Sequence, residues 1–189
     1  DKGTIKIDKK PIGDLPDFEI ARKGIARTFQ EVRLFHNLSI EDHMSIALSD
    51  ADEECCKSMI QKPKDESKRI KGILDLVQLH KPLTTCATNL SYGQRNLLDL
   101  AIAIAKPHHV LMLDEPVAGI NPALRKIIKS ILKKLHKKGE TIILIEHDMN
   151  FVMDIADSIF VMDEGKIIAA GKPKAIQKNK KVLDAYLGD

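Results

Sequence analysis

Two apolar runs end in residues that can do chemistry. Val110-Leu111-Met112-Leu113 ends in Asp114-Glu115-Pro116, and Ile142–Ile145 ends in Glu146-His147-Asp148. Continuous apolar runs of this length suit strands buried on both faces of a parallel sheet. Ligands of open parallel sheets bind at the carboxyl ends of the strands. Taken singly, a strand-terminal Asp is commonly a cap or turn former, and a lone His is commonly a surface or satisfied core residue. Two strand ends that present Asp-Glu and His toward one crevice point instead to metal-assisted phosphoryl transfer. In that reading Asp114 holds Mg²⁺, usually through water, and the metal neutralises charge on the β- and γ-phosphates. Glu115 orients or deprotonates the attacking water, and His147 donates a hydrogen bond to the γ-phosphate.

A second constellation is Leu90-Ser91-Tyr92-Gly93-Gln94, at the start of a predicted helix. Helix N-termini offer unpaired N–H groups and positive potential to anions. Ser91 adds a hydroxyl, and Gly93 allows close backbone approach. By spacing alone, however, Ser91 reads as an ordinary N-cap.

These residues need elements to position them. Thr4–Ile7 reads as a short strand closed by Lys9, Lys10, Pro11 and Gly13. Ile20–Lys23 is a helical turn ending at Gly24, and Ile25–Phe29 a strand followed by Gln30 and a loop. Ser39, with Asp42 three residues on, starts a helix. Residues 50–67 are polar and weakly patterned, a solvent-facing connection. A helix over Arg69–Leu79 places Ile70, Ile73, Leu74 and Val77 on one face, and another spans Tyr92–Ala105 until Lys106-Pro107. Asn121 caps a helix beginning at Pro122 and ending at Gly139, with Leu124, Ile127, Ile128, Ile131, Leu132 and Leu135 as its buried stripe. Asn150–Ala156 is helical, Ser158–Met162 and Lys166–Ala170 form a hairpin about Asp163-Glu164-Gly165, and short helices follow from Lys174 to Leu187. The alternation of strand and helix gives an α/β fold with a mostly parallel sheet. A helical stretch over about 37–100 forms its own subdomain, and about 105–189 forms the core.

Composition limits the alternatives. The chain has 189 residues, 43% hydrophobic and 30% charged, with a net charge of +3. That is the balance of a globular protein with a packed core. Leu100–Ala105 is the longest apolar run, far short of the about 20 residues that span a bilayer. Cys55, Cys56 and Cys86 suit no disulfide framework, which favours a reducing compartment, and they show no zinc-ligand spacing. Five Phe, two Tyr and no Trp argue against platforms for single-stranded nucleic acid. Lysines 133, 134, 137 and 138 complement a helix C-terminus and read as a solvated face.

Together the motifs resemble the ATP-binding subunits of ABC transporters. Leu90–Gln94 looks like the signature, Val110–Pro116 the Walker B strand, Ala118-Gly119-Ile120-Asn121 the D-loop, His147 the switch histidine, and Arg27-Thr28-Phe29-Gln30 the Q-loop. They occur in the family's order along nearly the whole chain. Gly24–Gln30, Arg33-Leu34-Phe35, the Tyr in the signature, Ala118–Pro122 and Ala185-Tyr186-Leu187-Gly188 resemble the ATPases of branched-chain amino acid importers. Lipopolysaccharide-export ATPases are the second likeness, and a non-hydrolysing interaction module is the alternative of another class. A soluble cassette of DNA repair or translation fits less well.

The resemblance implies a P-loop NTPase-like fold and two subunits, head to tail, around two molecules of ATP with Mg²⁺. Glu115, His147 and Gln30 are the implied catalytic residues. Asp114 and Gln30 are the implied metal ligands. Ser91, Gly93 and Gln94 meet the nucleotide held by the partner subunit, and Asn121 belongs to the same nucleotide-contacting set. Transmembrane permease subunits, a solute-binding protein and a peripheral place on the cytoplasmic face of the membrane complete the implied system, with no nucleic acid.

The sequence departs from the pattern in one large way. No Gly-x-x-x-x-Gly-Lys-Ser/Thr occurs in it, and it begins with Asp1. The expectation is a nucleotide-binding domain without its first strand and phosphate loop, hence poor ATP binding and negligible hydrolysis by these residues alone. Smaller departures are the single Arg95 after the signature and Ile102 where an Arg is common.

Overall fold

The computed structural model describes residues 3–49 and 64–187, and side-chain burial for residues 66–185 of the second stretch. Most of the polar connection expected over 50–67 lies outside the described residues. The chain divides into two compact units, residues 1–145 and 146–189.

The first unit opens with a two-stranded antiparallel hairpin, β1 (Lys6–Ile7) and β2 (Lys10–Pro11). Lys9 and Lys10, expected to close a lone strand, belong to this hairpin: Asp8 and Lys9 turn through positive φ and Lys10 pairs back with Ile7. Helix α1 (Asp17–Arg22) follows, then β3 (Ile25–Arg27), β4 (Val110–Asp114) and β5 (Thr141–Ile145) form one parallel sheet in that order. Ile25 pairs with Val110, and Asp114 pairs with Ile145 at the far end. The mostly parallel α/β architecture expected from the sequence is therefore present.

Gly24 sets the entry to the sheet. Its φ is +81°, and its carbonyl accepts hydrogen bonds from the N–H groups of His109 (2.7 Å) and Val110 (3.1 Å). A Cβ there would lie 2.7 Å from His109 Cδ2 and 3.2 Å from His109 N. Left-handed backbone plus this close approach make Gly24→Ala an expected loss of about 2–3 kcal/mol. A urea titration should show it as a lower midpoint at unchanged slope.

Among the described residues three helices run between β3 and β4: α2 (Ile40–Leu48), α3 (Lys64–Leu76) and α4 (Tyr92–Ala105), which pack on one another. Ser39 starts α2 as expected: its Oγ accepts from the Asp42 N–H at 3.1 Å, and its own N–H donates to Asp42 Oδ2 at 2.9 Å. Such a box satisfies two of the donors that a helix start leaves open. Ile40, Met44, Ile70, Leu74, Val77, Leu97, Leu98 and Ala101 bury the shared apolar stripes.

His43 on α2 is buried at 4% exposure, yet fully satisfied. The Phe35 N–H donates to its Nε2 (3.0 Å), so Nδ1 carries the proton and donates to the Ser39 carbonyl (2.8 Å). That pins the loop after Gln30 to the helix.

Helix α5 (Pro122–Lys137) joins β4 to β5. Leu124, Ile128, Ile131, Leu132 and Leu135 are buried along it; Ile127, expected in the same stripe, is only half-buried. The apolar run of β5 also departs from expectation. Ile143 and Ile145 are 47% and 54% exposed, so burial alternates along the strand. One face of β5 thus turns toward α5 and the core, and among the described residues the other is open.

The second unit holds α6 (Met149–Ile155), the antiparallel hairpin β6 (Ile159–Asp163) and β7 (Lys166–Gly171), α7 (Pro173–Ile176) and α8 (Lys180–Leu187). Ile159, Val161, Ala169, Ile176 and Val182 form its core, with Met149, Val152 and Met153 packed against it. The hairpin turn falls at Glu164-Gly165, both at positive φ. Among the described residues no helix is long and apolar enough to cross a membrane.

Candidate functional site

The carboxyl end of β4 carries Asp114, and the chain turns sharply after it. Glu115 has φ +47°, rare for a residue with a side chain. Its N–H donates to the Ile145 carbonyl (2.9 Å), and its carbonyl accepts from the Ala118 N–H (3.1 Å). Those bonds hold a backbone conformation that costs on the order of 1–3 kcal/mol. The turn fixes where the Glu115 carboxylate stands relative to Asp114.

The loop after β3 comes to meet this turn. The buried Thr28 donates its N–H to the Met112 carbonyl (3.0 Å), and its Oγ1 accepts from the Asp114 N–H (3.4 Å). Thr28 thus continues the pairing of β3 with β4 one residue beyond Arg27. Gln30 Nε2 then donates to Glu115 Oε2 at 3.0 Å. Arg27 Nη2 meets Asp114 Oδ2 at 3.2 Å. Gln30, Asp114 and Glu115, expected to work together, are brought to one recess, which Thr28, Tyr92, Asn96 and Asp99 also line.

Ser91, Gly93, Gln94 and Asn121 meet in a neighbouring groove, which Tyr92, Gly119 and Leu124 also line. Ser91 and Gln94 form a capping box: the Gln94 N–H donates to Ser91 Oγ (3.3 Å), and the Ser91 N–H donates to Gln94 Oε1 (3.1 Å). Both side chains serve their own helix. Gly93 faces Leu124 so closely that a Cβ would lie 2.5 Å from its Cδ2. Asn121 Oδ1 accepts from the Leu124 N–H (2.9 Å) as the cap of α5.

His147 belongs to the second unit, just before α6. Its neighbour Asp148 caps α6 by accepting from the Phe151 N–H (3.1 Å), and Glu146 Oε2 accepts from the Asp148 N–H (3.4 Å).

The structure also finds residues that the motif reading passed over. Arg27 entered it only as part of a motif, and Asp99 did not enter it. Burial pushes the Asp99 carboxyl up to about 6, because desolvation disfavours the charged form. Asn96 Oδ1 nearby is buried without a hydrogen-bond partner. The signal was available: Tyr92, Asn96 and Asp99 recur at four and three residues along α4, one helical face.

The donors suit a hard divalent cation. Asp114 offers carboxylate oxygen, and Gln30, whose Nε2 is engaged with Glu115, offers Oε1. Among the described residues no group of three or more His, Cys, Asp or Glu could hold a metal by itself. Asp114 and Gln30 would be the residues to hold Mg²⁺, a hard cation that takes oxygen donors.

The chain is similar to known proteins along its length. A family model described as ABC transporter matches residues 1–118, and one described as branched-chain amino acid ATP-binding cassette transporter matches residues 166–189. The high-affinity branched-chain amino acid transport ATP-binding protein BraF of Pseudomonas aeruginosa is 35% identical over 99% of this chain and 76% of its own length. The lipopolysaccharide export system ATP-binding protein LptB of Acidithiobacillus ferridurans is 28% identical over 100% of this chain and 75% of its own. The crystal structure of the ADP conformation of MJ1267, an ATP-binding cassette of an ABC transporter, superposes with a TM-score of 0.80 at 28% identity, covering 100% of this chain and 78% of that one.

Proposed function

Since the chain belongs to the ABC transporter ATPases, with branched-chain amino acid transport ATP-binding proteins among its relatives, we propose that it powers import of branched-chain amino acids by hydrolysing ATP. The observation that carries the reading is the 3.0 Å hydrogen bond from Gln30 to Glu115 beside Asp114. It joins the loop after β3 to the carboxylate best placed to act on water. Glu115 serves as general base, Asp114 and Gln30 hold Mg²⁺, and His147 hydrogen-bonds the γ-phosphate. The bound cation supplies charge neutralisation at the phosphates.

Ser91, Gly93, Gln94 and Asn121 serve the nucleotide of a second ATP-binding subunit, for which the capping box between Ser91 and Gln94 opens or turns its remaining lone pairs and hydrogen outward. Permease subunits and a solute-binding protein complete the system at the cytoplasmic face of the membrane. The helical stretch over about 37–100 forms the subdomain that meets the permease. The 189 residues include no Gly-x-x-x-x-Gly-Lys-Ser/Thr, so by themselves they bind ATP weakly and hydrolyse it negligibly. The match at residues 166–189 and the higher identity to BraF favour amino acid over lipopolysaccharide transport.

Reconstitution tests the proposal. The cassette, joined to a phosphate-loop segment and to its permease pair in liposomes, should drive ATP-dependent uptake of radiolabelled leucine. ATP hydrolysis without leucine movement would remove the substrate assignment, and failure to bind Mg-ATP tightly would favour the interaction-module reading.

A further inference from the structure

Asp114 already has a cation beside it, and that cation belongs to the chain. Arg27 Nη2 stands 3.2 Å from Asp114 Oδ2, with the Arg27 side chain 52% exposed and that of Asp114 24% exposed. The guanidinium carbon of Arg27 lies 5.4 Å from the centre of the Phe29 ring, and that of Arg33 lies 4.7 Å from the same ring. One aromatic ring therefore holds two guanidinium groups, and one of them leans onto the carboxylate at the end of β4.

We infer that Arg27 is a resident counter-ion of Asp114 that a divalent cation must displace, so that Arg27 tunes metal affinity at this site. The inference rests on the reading of Asp114 as a metal ligand. Two cations cannot share one carboxylate without mutual repulsion, so binding of either weakens the other. A half-exposed arginine on a flexible stem is a weak competitor, because exposed ion pairs contribute little and solvent screens them. It is therefore displaceable, unlike a buried pair. The Phe29 ring gives the guanidinium somewhere to stay when it leaves: the cation–π attraction of Arg27 does not depend on Asp114. Arg27 also lies three residues before Gln30, whose Nε2 holds Glu115. Exchange of the arginine for a metal would thus act next to the bond between Gln30 and Glu115.

The test is binding of Mn²⁺ alone to the full chain, read as free Mn²⁺ by electron paramagnetic resonance, so that no turnover is needed. Arg27→Gln should bind Mn²⁺ about twofold to fivefold more tightly than the wild type, the range expected for removing one partly screened competing charge. Arg27→Lys keeps the charge and should fall between the two. Raising the salt to about 0.5 M should narrow the gap between wild type and Arg27→Gln, because screening weakens the competitor. Equal or weaker Mn²⁺ binding by Arg27→Gln would overturn the inference and make Arg27 an organiser of the carboxylate instead. Asp114→Asn separates the premise from the inference. If it binds Mn²⁺ as the wild type does, the metal reading itself fails. If it loses binding while Arg27→Gln is unchanged, only the role of Arg27 falls.

Discussion

Glu115→Gln, made in a cassette that carries a phosphate loop, should lower the rate of ATP hydrolysis by about 10²–10⁴-fold and leave ATP affinity unchanged. The size is that of losing a positioned general base. Two structural facts make the substitution clean. The amide keeps an oxygen where Glu115 Oε2 accepts from Gln30 Nε2 at 3.0 Å, so the loop stays anchored. The backbone at φ +47° is held by main-chain bonds to Ile145 and Ala118, which the side chain does not make. What the substitution removes is basicity toward water. Single-turnover hydrolysis of radiolabelled ATP, with equilibrium binding measured beside it, reads both quantities. Hydrolysis at the wild-type rate would dismiss Glu115 as the base. Loss of binding would give it a structural task instead.

Asp99→Asn should stabilise the protein at neutral pH. Burial raises the Asp99 carboxyl to about 6 from its ordinary 3.8. The folded state therefore binds this proton more tightly than the unfolded state. As pH rises from about 4 through about 6, the unfolded chain loses its proton first and stability falls. At pH 7 the full penalty is present, on the order of 3 kcal/mol. The amide never ionises and escapes it. The variant should melt roughly 6–12 °C higher at pH 7, and the advantage should shrink toward zero near pH 4. Calorimetry across that range decides the matter, since a pH-independent difference would mean that packing, not desolvation, sets the effect. An aspartate that costs stability in the recess of Gln30, Asp114 and Glu115 is the kind of conflict found at working sites.

Local chemistry made much of this molecule legible in its sequence. Ser39 with Asp42, Asn121 with Pro122, and Ser91 with Gln94 announce helix starts by side chains that satisfy open N–H groups a few residues away. Apolar runs announced β4 and β5, and their order with the helices announced a parallel sheet. The residues that end those strands, and the motifs around them, were enough to suggest the family. Spacing within a few residues encodes such features, because the partners are covalently near.

What required the tertiary structure was every relation between distant segments. Whether β5 is covered on one face or two depends on what packs above and below its sheet, so its uniform run of Ile and Leu did not reveal that Ile143 and Ile145 are exposed. Asp99 looks like any charged residue of a helix until the fold buries it and sets it in one recess with Thr28, Gln30, Asp114 and Glu115. Arg27 is one basic residue among thirty until parallel pairing of β3 with β4 brings its guanidinium to Asp114, eighty-seven residues along the chain. Sequence alone indicated most of the elements and which residues could do chemistry. Only the fold decided which charges face each other, because electrostatics and desolvation follow distance in space, and distance along the chain does not predict it.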